Sequence, residues 1–244
     1  MRNFKNLAIT GICVIMPITA YFAIKVSANN LISIDLATAK ESLKKHHEQE
    51  QADLKLGQYA INAMYASGSK DRISDAGKQS LARAIVRVSN DIFLKEDEKK
   101  AFIGIIAIES AFIRFSQSPT GPKGYTQIAK GSFIEAMADC GATGVSEADV
   151  WETELNLYAG ACYFRKQLDA NNGDQYMAMI AYNQGPASAS LKSYTKNGSM
   201  DNMEVLKYMA KFTFLKRTLT DTKQPNIPSI KEIYKSTPAK KAKQ

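Results

Sequence analysis

Residues Ala101 to Gln127 read AFIGIIAIESAFIRFSQSPTGPKGYTQ. Phe102, Ile103, Ile105, Ile106, Ala107 and Ile108 form a proline-free apolar run too long for one strand, which predicts a buried α-helix from about Glu98 to Phe115. Glu109 falls inside that run. At helical periodicity it shares a face with Phe102, Ile106 and Ile113, so a carboxylate stands where a core residue is expected. Burial favours the neutral form of a carboxyl group, and a carboxyl still protonated near neutral pH can donate a proton to a leaving oxygen, as glycosidic cleavage requires. A glutamate emerging from the last turn of a structural helix is the alternative on the helix alone.

Downstream, Gln117 to Gly131 changes to Ser, Pro, Thr and Gly, the composition of a loop that brings main-chain groups close to a ligand. Helical patterns resume at Phe133 to Met137, again from Val150 to Ala170, and from Asp174 to Asn183, where Gly185-Pro186 stops the chain. Upstream, Ser74-Asp75 can cap a helix through Leu81, Ile85 and Val88. Ala37 to about Met64 is a polar helix with apolar residues too sparse for a full core face, which reads as a solvated stalk. No alternating strand pattern and no repeat is present, so the fold class is mainly α.

Four ordered motifs resemble those of soluble lytic transglycosylase (SLT) domains, lysozyme-like enzymes that cut peptidoglycan. They are Glu109-Ser110-x-Phe112 followed by Ser118-x-x-Gly121-x-x-Gly124-x-x-Gln127, then Asn156-x-x-Ala159-Gly160-x-x-Tyr163, Ala181-Tyr182-Asn183-x-Gly185, and a weaker Glu204-x-x-x-Tyr208-x-x-Lys211. The resemblance implies a lysozyme-like catalytic domain with Glu109 as the catalytic residue. It further implies that Ser118 and Gln127 hydrogen-bond the sugar and its acetamido group, that Tyr182 and Asn183 line the cleft, and that Tyr208 orients Glu109. The chain departs from the family where Tyr125-Thr126 replaces Leu-Met and Ala129 replaces a frequent methionine, which alters the floor of the cleft.

The net charge of +8 would suit a polyanion or a membrane surface, but five of those charges lie after Thr222, and no arginine–aromatic pattern of a nucleic-acid reader is present. Leu7 to Ile24 carries no charge and as a helix would span about 27 Å, close to the thickness of a bilayer core. Arg2 and Lys5 before it direct the rest of the chain across the membrane. We read this segment as an uncleaved anchor, with peptidase recognition at Val26 and Ala28 as the alternative. The expected organisation is therefore an anchor or signal peptide over 1–30, a helical stalk over 31–70, the catalytic domain over 71–222 and a basic, disordered tail over 223–244. The expected location is periplasmic, on the outer face of the inner membrane. In that compartment Cys140 and Cys162 can pair if their α-carbons come within about 7 Å, or stay as two buried thiols. His46 and His47 have no nearby cysteine, and no metal site or cofactor is expected.

No acidic residue lies between Ser110 and Ile134, so a two-carboxylate hydrolase is disfavoured. The family reading is then a lytic transglycosylase, a lyase in which the substrate's own C6 hydroxyl is the nucleophile and each cut leaves a 1,6-anhydromuramyl end. Two alternatives remain at this point: a muramidase using Glu135, Asp139 or Glu147 as second carboxylate, and a non-catalytic peptidoglycan-binding factor of a secretion or conjugation apparatus. Partners on the family reading are glycan strands, the membrane and such an apparatus, with no nucleic acid.

Overall fold

The structure, a computed structural model, describes residues 36–68, 72–198 and 202–220. These form eight α-helices: α1 (Leu36–Ala66), α2 (Asp75–Ile92), α3 (Glu96–Ser110), α4 (Lys130–Asp139), α5 (Thr153–Ala170), α6 (Gln175–Gln184), α7 (Ala189–Asn197) and α8 (Met203–Thr220), with a 3-10 turn at Glu147–Trp151. Strand geometry among the described residues is limited to two isolated bridges, Gln117 with Lys123 and Lys123 with Ile128. The segment Leu7 to Ile24 and the tail 223–244 lie outside the described residues, among which no helix is long and apolar enough to cross a membrane.

Helix α3 is the axis of the fold. A helix that is apolar all round must be covered all round, and α2, α6 and α8 pack against this one. Phe102, Ile103, Ile105 and Ile106 are each 0 % exposed. Gly104 allows the closest of these approaches, since a Cβ there would stand 2.9 Å from the ring of Phe212 on α8. At its start, Glu96, Asp97 and Glu98 meet the positive end of the helix dipole. Glu98 is buried and takes a 2.8 Å bond from Arg165 Nη1, the pairing a buried carboxylate needs.

The expected end of α3 near Phe115 is five residues too late. The helix closes at Ser110 because Ala111 and Phe112 both adopt left-handed backbone, at φ 49° and 60°. That conformation is costly for residues with a Cβ, and burial of the Phe112 ring holds it in place. Ile113 consequently leaves the helix and does not share a face with Glu109.

The polar helix is present, but the solvated-stalk expectation fits only its first half. Described residues up to His47 and those from Glu48 onward form separate compact units. Residues 40–47 are exposed. From Leu56 the helix turns apolar, and Leu56, Ala60, Ile61, Ala63 and Met64 enter the same core cluster as Leu81, Ile85 and Ile105. Five apolar positions in nine residues suffice for a buried face, a local pattern that averaging over the charged first half conceals. Helix α2 begins at Ser74, whose hydroxyl caps Gly77 N as expected. Helix α7, absent from the sequence reading, starts at a comparable cap, with Ser188 Oγ accepting from Leu191 N, and ends at Gly198 in left-handed geometry.

A second, smaller core gathers Ile128, Phe133, Met137, Val150 and Cys162 under the loop that precedes α4. Cys140, at the C-terminal end of α4, is bonded to Cys162 on α5 with their α-carbons 6.1 Å apart.

Candidate active site

Glu109 sits in the last turn of α3. Burial drives its pKa from 4.5 to about 7, against the opposing pull of a hydrogen bond from Tyr208 and of the Lys211 ammonium. Tyr208 reaches it from α8, donating its hydroxyl proton to Glu109 Oε1 at 2.8 Å. Burial and the neighbouring Glu109 raise the Tyr208 phenol far above its ordinary value, so it keeps its proton and acts as a donor. The close passage of α8 over Gly104 brings Tyr208 and Lys211 to the carboxyl.

The loop facing Glu109 is fastened from three sides. Ser110 Oγ donates to Tyr125 O at 2.7 Å, which ties the residue beside Glu109 to the loop. Tyr182 on α6 donates its hydroxyl to Thr126 O at 2.8 Å. Asn156 on α5 accepts from Thr126 N at 3.0 Å and donates to Lys123 O at 3.2 Å and Val150 O at 3.0 Å, so one buried amide satisfies three backbone groups. Two glycines make the approach possible. A Cβ on Gly124 would fall 2.2 Å from Asn156 Nδ2, and one on Gly160 would fall 2.4 Å from Thr126 Cγ2. Tyr163 braces Tyr182 edge-on, with ring centroids 5.2 Å apart. Asn156, Gly160 and Tyr163 stand in the second resemblance motif, yet their task as loop anchors has no signature in the sequence beyond that motif.

Of the expected site residues, Glu109 and Tyr208 meet directly. Tyr182 is buried, and its hydroxyl is committed to Thr126, so it supports the loop from behind and does not present a polar group to the cleft. Asn183, half-buried at the end of α6, accepts from Gln184 Nε2 at 2.7 Å. Ser118 shares a 2.9 Å hydroxyl contact with Thr120. Gln127, at φ 46°, gives its amide nitrogen to Ser116 O and Gly124 O, both at 2.9 Å. Tyr125, in the place of the family's leucine, bonds to Thr153 and lines a cavity of about 560 Å³ against α2 that Glu109 does not border.

The alternative second carboxylates are all engaged elsewhere. Glu135 and Asp139 both grip Lys166 Nζ, at 2.6 and 2.9 Å, and Glu147 pairs with Lys130. Among the described residues no cluster of His, Cys, Asp and Glu could hold a metal ion.

A mainly helical domain with one half-buried, tyrosine-held glutamate at the end of its central helix is the class that this geometry defines. The family model of the transglycosylase SLT domain matches residues 94–203. Comparison with curated proteins gives no match. Among solved structures the chain is similar to the 70 kDa soluble lytic transglycosylase of Escherichia coli, at 19 % identity and TM-score 0.50 over 68 % of this chain and 30 % of that one. It is also similar to an inactive mutant of the lytic transglycosylase Slt of Pseudomonas aeruginosa, at 22 % identity and TM-score 0.43 over 56 % of this chain and 21 % of that one. The chain therefore matches less than a third of either protein's length.

Proposed function

We propose that the chain is a peptidoglycan lytic transglycosylase that cleaves the β-1,4 bond between N-acetylmuramic acid and N-acetylglucosamine, with Glu109 as its acid and base. The observation that carries this reading is the Glu109 carboxyl itself: half-buried, with desolvation raising its pKa to about 7, held by Tyr208 and free of a carboxylate partner among Glu135, Asp139 and Glu147.

At such a pKa both protonation states are populated near neutral pH, and the one residue serves twice. Protonated Glu109 gives its proton to the glycosidic oxygen, and the bond from that oxygen to the muramyl C1 breaks. The resulting carboxylate then takes the proton of the muramyl C6 hydroxyl while its oxygen bonds to C1, closing the 1,6-anhydro ring. Glu109 ends protonated as it began, and no water is consumed. The bound sugar supplies this hydroxyl at high effective concentration. Lys211 and Tyr208 stabilise the carboxylate between the two steps. Ser118 and Gln127 would hold the sugar and its acetamido group, with Asn183 at the rim.

The protein's place in this reading is outside the cytoplasmic membrane, anchored through Leu7 to Ile24, opening the wall locally for an assembly that must pass it. Digestion of purified sacculi in heavy-oxygen water, followed by mass spectrometry of the muropeptides, tests the chemistry. Unlabelled anhydromuramyl ends are expected, and labelled reducing ends would make water the nucleophile and the enzyme a muramidase.

A further inference from the structure

Phe115 is 67 % exposed although it is a large apolar side chain. Its ring is held in a fixed cluster. It packs against Trp151 with centroids 5.9 Å apart, and the Arg114 guanidinium stands 5.0 Å from its centroid. Arg114 is fixed in turn, since its Nε donates to Trp151 O at 3.0 Å and its Nη2 lies 3.6 Å from Glu152 Oε2. Lys123 Nζ completes the group 5.4 Å from the Trp151 centroid, and no carboxylate among the described residues pairs with it.

The same loop carries the expected sugar-binding residues. Phe115 immediately precedes Ser116, whose carbonyl accepts from Gln127 Nε2 and from Gly124 N at 2.9 Å each. Lys123 bridges both Gln117 and Ile128 across that loop. We propose that Phe115 and Trp151 form a stacking platform for a pyranose ring of the glycan strand, adjoining the Glu109 cleft, with Lys123 donating to a hydroxyl or ring substituent at the sugar's rim.

The chemistry favours a sugar. A pyranose offers an apolar C–H face bordered by hydroxyls, which matches the exposed Phe115 ring backed by Trp151 beside an ammonium that no carboxylate among the described residues neutralises. A protein partner would need a wider apolar patch than a single ring bordered by Arg114, Lys123 and Glu152. Because the cluster is already ordered, binding there costs little side-chain entropy. The platform rests on the proposed polysaccharide substrate and refines where that substrate lies.

The chain has a single tryptophan, so its emission reports on this cluster alone. The Glu109→Gln variant, which should bind without cutting, is titrated with peptide-free glycan strands from amidase-treated sacculi. A saturable change in tryptophan emission is expected, and adding Phe115→Ala should weaken the apparent affinity about fivefold. Phe115→Tyr should retain binding, and equal melting temperatures of the variants exclude unfolding as the cause. Unaltered emission at saturation, or full affinity in Phe115→Ala, overturns the platform. Failure of the wild-type chain to cut sacculi while the titration succeeds would overturn the proposed activity and leave the platform standing.

Discussion

The Glu109 carboxyl has opposite effects on stability and on chemistry. An ordinary unfolded-state pKa of 4.5 against about 7 in the fold means that the folded chain is penalised once the carboxyl ionises. The penalty is absent below 4.5, grows as pH rises to about 7 and is then constant, at about 3 kcal/mol from the size of the shift. Glu109→Gln carries no charge, and its amide oxygen can still accept from Tyr208. The variant is therefore expected to cleave no sacculi yet to exceed the wild type in denaturant midpoint at pH 8, with the two curves converging by pH 4. Tyr208→Phe acts on the same equilibrium from the other side. The Tyr208 bond lowers the pKa of Glu109, so its removal should move the alkaline limb of the pH profile of kcat/KM upward, while lost orientation costs roughly tenfold in rate. An unmoved limb would mean that Tyr208 does no more than pack.

Among the elements, the loop between α3 and α4 is where precision is needed, and its support comes from α5 and α6. Thr126 is wholly buried and β-branched, which leaves it no direction in which to yield. Gly160→Ala would press a methyl group to within 2.4 Å of it, so a loss of about 1–3 kcal/mol is expected, with activity falling as Thr126 O leaves Tyr182. Gly131→Ala, whose methyl group meets nothing within 4 Å, is the control in the same thermal melts. The helices were legible wherever apolar periodicity ran long, as in α3 and α5, or a cap marked the start, as at Ser74. The end of α3 was not legible, because the left-handed backbone at Ala111 and Phe112 is imposed by burial of Phe112 and no glycine announces it. The service of Asn156 to three separate backbone groups was equally hidden, since Lys123, Thr126 and Val150 converge on it only after folding.

For the molecule as a whole, the domain that carries the site begins earlier than its motifs do. Leu56, Ile61 and Met64 complete the core around α2 and α3 although no motif reaches them. Their charged neighbours dominate the composition of α1 and mask this short apolar face in the sequence. At the other side the bond between Cys140 and Cys162 closes a loop with a sequence separation of 22, which contributes about 3 kcal/mol by constraining the unfolded chain. Reduction should lower the melting temperature of the folded protein and expose two thiols to labelling. Quantitative labelling of both thiols in the protein purified without reductant would show that the bond does not form. The compartment expected from the sequence makes Cys140 and Cys162 candidates, but only the juxtaposition of α4 with α5 makes them neighbours.

The amide of Gln127 has one further consequence. Both of its N–H groups face carbonyls of its own loop, so its orientation is fixed and only the carbonyl oxygen remains to face a ligand. A group so arranged can accept and cannot donate. It would hold the amide N–H of a 2-acetamido sugar and offer nothing to the ester oxygen of an O-acetylated analogue, so that in the proposed cleft the choice between nitrogen and oxygen at C2 is made by which end of one side chain the loop has already consumed.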